Sequence, residues 1–371
     1  MKHFERRGFR ESLDQVIASV ARAYGFTGLP VSIPKKHIVD AENETQEHTL
    51  LIASLAGSTD TEEKYNVQSW GVLKSKGASR IVFAVHNPKH ALAQAFVIKA
   101  SLAVAEASGL KNVCVLISSV GDDESRRRYV RELGNFFKKN SKALADDFED
   151  LPLQHDPDKA AALIAASQHA LKDALPRTID FLSEPSRKIM LETISLLETL
   201  GIPYELADRL PYTPFVNREL VFAVSGEDAH GVKHMIATGG RFESGKRRDV
   251  KKGDSNLVGI ALTIPETLDA RDISHTEKPA VFVVHVGEAA RLKSFSLLDS
   301  LWRAHVALDQ ALLAESITAQ TQLAQKSGAR YITIIGQREA LDGTAILKNA
   351  ATQLQETLPM HQIISRLIRV K

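Results

Sequence analysis

The sequence predicts an α+β fold: an antiparallel, strand-rich core split by a long helical insertion, followed by a small α/β domain. Three observations predict it. Strand-like runs recur at 79–85, 112–118, 219–224, 232–238 and 257–264 without a helix between each successive pair, which argues against a doubly wound sheet. Residues from about 122 to 205 are almost wholly helical in pattern and interrupt that series. Beyond the charged stretch 269–278 and Pro279, strands and helices alternate cleanly. The division is therefore 1–270 for the core, with its insertion at about 122–205, and 279–371 for the second domain. The second domain carries its own alternating elements at a common independent size, so it is expected to fold alone.

The individual elements follow from local pattern. Leu13, Val16, Ile17, Val20 and Ala21 share one helical face, and Gly25 ends that helix. Residues 28–62 are poorly patterned and include a polar run at 40–47. The strand at 79–85 ends in the turn signal Asn87-Pro88, and an Ala-rich helix over 91–108 stops at Gly109. Helices are expected at 127–139, 159–174 and 186–200, the last closed by Gly201. In the second domain the strands are 280–286, 329–335 and 344–347, and the helices are 288–305, 317–326 and 362–370.

Bulk properties exclude several classes. The chain of 371 residues is 44% hydrophobic and 25% charged, which suits a globular protein rather than a disordered one. Cys114 is the single cysteine, so no internal disulfide or thiolate metal cluster can form, and a reducing cytoplasm is expected. The charged N-terminus has no apolar region of a secretory signal, and no run approaches the ~18 apolar residues of a membrane span. Net charge is only +2, so a nucleic-acid partner has to be argued from local patches.

Several separated motifs occur in one collinear order. They are 116–121 (LISSVG) with Arg128-Tyr129, 181–183 through 200–204 (LGIPY), 238–243 (TGGRFE), 257–262 (LVGIAL), Gly287-Glu288 after a strand, 328–336 (GARYITIIG) and 342–345 (DGTA). Together, over roughly residues 65–371, they resemble the histidyl-tRNA synthetase family. The resemblance implies a class II aminoacyl-tRNA synthetase-like antiparallel core with a helical insertion, and a C-terminal α/β domain of the anticodon-binding type. It also implies a homodimer.

The departures from that family bear on function. The family activates histidine with ATP through arginines, whose planar, permanently charged fork lysine or a neutral residue does not replace. The segment matching the family's arginine-bearing signature is 209–217 (RLPYTPFVN), which puts Tyr212 at the arginine position and Phe215, Val216 and Asn217 at the histidine-reading positions. The motif that should end in a phosphate-holding arginine has Pro265 and Glu266 there. A remnant of the remaining motif is visible at 65–71, but 57–63 (GSTDTEE) lacks its arginines. The resemblance thus leaves a remnant substrate pocket of Gln68, Tyr212, Gly239, Gly240, Arg241 and Glu266, with no catalytic residue.

Residues 240–247 (GRFESGKR) come close to a P-loop, but Arg247 replaces the magnesium-binding hydroxyl, and the family's Gly-Gly-Arg turn describes them better. Two basic groups, 241–252 and the 126–128 triplet with Arg131, Lys138 and Lys139, carry charge able to neutralise phosphates but are better read as solvated faces. His230 and His234 are read as a loop, and no metal site is expected. In the second domain, Arg291, Lys293, Lys326 and Arg330 are the candidate RNA contacts, with Trp302 and Tyr331 as stacking or core aromatics.

Three functions fit these residues. One is a non-catalytic protein that binds tRNA or another RNA, or regulates a protein partner, without a cofactor. Another is a working histidine–tRNA ligase using ATP and magnesium. The third is a protein similar to the ATP phosphoribosyltransferase regulatory subunit of histidine biosynthesis, which usually lacks the C-terminal domain. The lost arginines favour the first, because losing even one transition-state donor typically costs ~10²-fold or more in rate.

Overall fold

The computed structural model describes residues 13–31, 44–56, 67–75, 78–145, 157–212, 217–243, 256–265 and 279–369. Its elements in chain order are α1 (Leu13–Ala23), β1 (Thr27–Gly28), α2 (Glu44–Ala56), β2 (Val67–Ser75), β3 (Ala78–His86), α3 (Leu92–Ala107) and β4 (Lys111–Gly121). The insertion follows with α4 (Asp123–Lys139), α5 (Ser141–Ala145), α6 (Pro157–Ala166), two short 3-10 turns and α7 (Glu184–Thr199). The core closes with β5 (Tyr204–Leu206), β6 (Asn217–Glu227), β7 (Lys233–Glu243) and β8 (Asn256–Pro265). The C-terminal part comprises β9 (Val281–His285), α8 (Glu288–Arg303), β10 (Leu308–Gln310), α9 (Ile317–Ser327), β11 (Tyr331–Ile335), α10 (Gln337–Asp342), β12 (Thr344–Asn349), β13 (Gln355–Pro359) and α11 (Met360–Ile368).

The α+β expectation holds. The core sheet runs β1-β2-β3-β8-β7-β6-β4-β5. Its six inner strands are all antiparallel, and only the short edge strands β1 and β5 pair in parallel. The second sheet runs β10-β9-β11-β12-β13, parallel across β10-β9-β11 and antiparallel beyond. Two differences from the sequence pattern stand out. Residues 44–56 form α2 inside the stretch that lacks clear patterning, and β13 arises from a polar segment whose first three residues are exposed. The proposed boundary linker, 269–278, lies outside the described residues.

The insertion is tied to β4 by a shared cap. Asp122 is the N-cap of α4 and accepts from Ser125 N at 2.8 Å, while Ser183, the N-cap of α7, donates its hydroxyl to Asp122 Oδ2 at 2.8 Å. Burial works against the Asp122 charge, but the hydrogen bonds from Ser125 and Ser183 outweigh it and hold the carboxyl below the usual carboxylate range. One carboxylate thus satisfies donors at the start of two helices.

Helix α3 lies between the two sheets. Every residue in it except Glu106 is buried, including Gln94 and Lys99. Phe96 stacks edge-on with Phe295 of α8 at a centroid distance of 4.9 Å, and Tyr24, at the end of α1, meets both rings at 6.5 and 6.4 Å. Beside them Lys99 Nζ pairs with Asp299 Oδ1 at 2.8 Å, and Tyr24 Oη donates to the same oxygen at 3.1 Å. Burial disfavours the Asp299 charge, yet Lys99 and Arg303 outweigh it and keep the carboxyl below its ordinary range. Arg303 to Glu106 at 3.6 Å and His90 to Glu315 at 3.3 Å extend the polar contacts towards the two ends of α3. Among the described residues, no helix is long and apolar enough to cross a membrane.

This contact generates a prediction. Phe295→Ala removes a ring shared by two structural units, so it should cost ~3–5 kcal/mol of stability in the whole chain. Denaturant unfolding checks it, with Trp70 fluorescence reporting the core sheet and Trp302 the C-terminal part. A loss below ~1 kcal/mol would mean that the two units do not depend on each other for stability.

Candidate functional site

The sheet face that carries Gly240 is built from small residues. Strand register places Thr238, Gly240 and Phe242 of β7 beside Ala261, Gly259 and Leu257 of β8, and Ala261 and Gly259 beside Val82 and Ala84 of β3. Two glycines and two alanines at its centre expose backbone, which suits close approach by a flat group.

In this chain α2 occupies that face. Leu51, Ile52 and Leu55 pack on Val82, Ala84, Phe242, Leu257 and Ala261, and all eight are buried. A Cβ added at Gly259 would stand 2.6 Å from Ile52 Cγ2, so glycine is required for α2 to lie this close. His48 locks the helix down: Nδ1 lies 2.8 Å from Thr238 Oγ1 and Nε2 lies 2.9 Å from Thr263 Oγ1. Glu47 adds an ion pair to Arg80 at 2.7 Å. Burial first, and the Arg80 charge second, lower the His48 pKa to about 4, so its ring is neutral near pH 7. On the same face Ser69 Oγ lies 2.6 Å from His86 Nε2, and burial lowers that histidine to about 4 as well.

Of the residues expected from the sequence to form one pocket, the described ones do not converge. Gly240 lies on the α2 face. Gln68, Gly239 and Arg241 lie, by register, on the opposite face towards α1 and α3. Gln68 donates through Nε2 to Tyr24 O at 2.7 Å. Gly239 is glycine for packing, since an added Cβ would stand 2.3 Å from Gly259 O and 2.8 Å from the Phe222 ring. Arg241 Nε donates to Asn256 Oδ1 at 3.0 Å, bracing β7 to β8 at the sheet's end. Glu266, Phe215, Val216, the 57–63 segment and the second half of the P-loop-like run lie outside the described residues.

Tyr212 lies against the insertion. Its hydroxyl donates to Asp158 Oδ1 of α6 at 2.5 Å, and the same carboxylate is ion-paired with Arg126 of α4. Burial, then the Asp158 charge, push the Tyr212 phenol well above its ordinary value. The position where the resemblance expects an arginine therefore holds a neutral hydroxyl that fastens the chain to α4 and α6.

The four candidate RNA contacts also separate. In this topology the helices run against the parallel strands, so the start of α8 and the start of β11 lie at opposite edges of the second sheet. Arg291 and Lys293 sit at the first edge, and Lys326 and Arg330 at the other. Arg291 is corrected as a surface contact, because it is only 6% exposed. Trp302 is likewise a core residue, whereas Lys293, Lys326 and Arg330 are exposed.

Residues His48, Thr238 and Thr263 were missed by sequence reasoning. A signal existed: 48, 51, 52 and 55 fall on one helical face, but the preceding polar run hid it.

Comparison with known proteins places these features. Residues 280–369 match the anticodon binding domain family. The chain is 28% identical over 273 residues to a histidine–tRNA ligase of Geobacillus kaustophilus, covering 72% of this chain and 64% of that protein. It is 29% identical over 300 residues to one from Symbiobacterium thermophilum, covering 78% and 67%. The chain thus spans only about two thirds of the length of these curated relatives. The fold matches apo histidyl-tRNA synthetase of S. aureus with a TM-score of 0.52 at 18% identity, covering 99% of this chain and 100% of that one.

The two buried histidines generate a pH prediction. Each has a folded pKa of about 4 against an ordinary 6.5, so the unfolded chain binds protons first as pH falls. Their contribution is intact above pH 6.5 and is lost progressively between 6.5 and about 4. The melting temperature should fall across that window, and less steeply in His48→Gln. A profile flat from pH 7 to 5 would contradict the burial of both rings.

Proposed function

This chain belongs to the histidyl-tRNA synthetase family, and within it we propose a member that does not activate histidine and instead binds RNA through its C-terminal domain. One observation carries the first half. The small-residue face of the core sheet is filled by the protein's own α2, held by His48 and by Leu51, Ile52 and Leu55. Any ligand laid on that face has to displace a buried helix. The sequence supports the same reading, since Tyr212, Pro265 and Glu266 stand where arginines and their neighbour are expected. A carboxylate repels a triphosphate that a guanidinium would attract.

The second half rests on the anticodon-binding-type domain. Between 279 and 371 it carries ten Lys and Arg against seven Asp and Glu, a net +3. Mild positive charge implies modest, salt-sensitive affinity led by shape and charge. Lys326 and Arg330 are adjacent at one edge of the sheet and are the contacts we favour. A homodimer and a cytoplasmic location are part of the proposal.

Two outcomes are expected. Histidine-dependent ATP–pyrophosphate exchange should not rise above a blank without protein, and exchange that is lost on mutating Arg241 would sink the non-catalytic reading. In filter-binding titrations with a tRNA pool, affinity should fall as salt rises. The Lys326→Ala/Arg330→Ala double variant should flatten the log–log salt slope by about 1–2. Affinity indifferent both to salt and to the double substitution would remove the RNA reading and favour a protein partner.

A further inference from the structure

Arg291 presents an electrostatic problem that its surroundings do not solve. It lies in the first turn of α8, is 6% exposed, and makes no hydrogen bond through Nε or Nη1. Its ion pair is with Glu288 Oε2, 3.3 Å from Nη1, and the Glu288 side chain is 60% exposed.

The same place is the positive end of a helix. α8 is 16 residues long and starts after Gly287, whose φ is 92°, with no side-chain cap. Arg291 N donates to Gly287 O at 3.0 Å, so the N–H groups of residues 288–290 precede the first intrahelical bond. A guanidinium and a helix N-terminus carry the same sign of charge, so each raises the cost of the other. A buried cation without a full set of partners is strongly destabilising. An anion placed between them would satisfy both, and a largely exposed carboxylate one turn away does so only in part.

His285, at the end of β9, adds a second buried polar side chain. It is 2% exposed and donates through Nε2 to Leu312 O at 3.1 Å. Burial first, and the Arg291 charge second, lower its pKa against the opposing Glu288 charge, so the ring is neutral near pH 7.

We propose that Arg291 and the first turn of α8 form a binding site for a small oxyanion of the phosphate class. The oxyanion takes the free backbone N–H groups and the guanidinium Nε and Nη1, and the Glu288 carboxylate swings out to solvent. The chemistry is that of a phosphate oxyanion, and free phosphate reaches a guanidinium that is 6% exposed more readily than an RNA phosphate does. The site is independent of the RNA contacts proposed above, which lie at the opposite edge of the sheet.

Thermal unfolding of the full chain in sodium phosphate, against chloride at equal ionic strength, tests the site. Phosphate should raise the melting temperature by roughly 2–4 °C, because a ligand of the native state stabilises it. Arg291→Met keeps the length of the side chain without the charge and should lose that rise. Should Arg291→Met not fold, equilibrium dialysis of labelled phosphate against the parent chain and Glu288→Gln replaces it. Both should bind, and Glu288→Gln several-fold tighter because its carboxylate no longer competes. Displacement of the label by a tRNA pool assigns the site to RNA phosphate, and its retention assigns it to free phosphate. No specific rise in the parent chain, an equal rise in Arg291→Met, or no bound label in either dialysis overturns the proposal.

Discussion

The burial of α3 on all sides is the constraint on which the rest of this molecule depends. A helix packed on a sheet normally keeps one face in water, but α3 has the core sheet on one side and α8 on the other. That is why its sequence is almost uniformly apolar and small, and why its one lysine, Lys99, is met by Asp299 and by the Tyr24 hydroxyl on the same carboxylate. The ion pair supplies specificity more than stability, since a buried pair roughly offsets its own desolvation. It fixes which part of α8 faces α3, and the aromatic cluster of Tyr24, Phe96 and Phe295 supplies the apolar contact around it.

The core sheet is used differently on its two faces. One face is the platform for α1, α3 and α7, and through α3 for the C-terminal part. The other is flat because of Gly240, Gly259 and Ala261, and α2 lies in that flatness. The glycines that would let a ligand approach backbone here let a helix approach instead. The Tyr212 hydroxyl completes a buried cluster with Asp158 and Arg126, so this residue braces the insertion.

The strand series, the insertion and the second domain were legible because each rests on local periodicity and punctuation. Cys114 and the apolar runs around it read as strand and are strand. α2 was illegible because four apolar or neutral anchors follow an acidic run, and most of what they pack against lies about 200 residues further along. β13 was illegible because its polar residues form a strand only by pairing with β12. The described pocket residues separate for a simpler reason: residues adjacent in a strand point to opposite faces, so Gly239 and Gly240 lie on different faces of the sheet.

By itself the sequence determined the kinds of element, their order and the insertion, because these follow from residue chemistry and short-range spacing. Only the tertiary structure decided that α2 covers the sheet, that Tyr212 faces Asp158, and that Arg291 is buried at a helix N-terminus while Lys326 and Arg330 lie on the opposite edge. Those outcomes depend on which faces meet, and facing is set by long-range pairing and burial that no local window of residues contains.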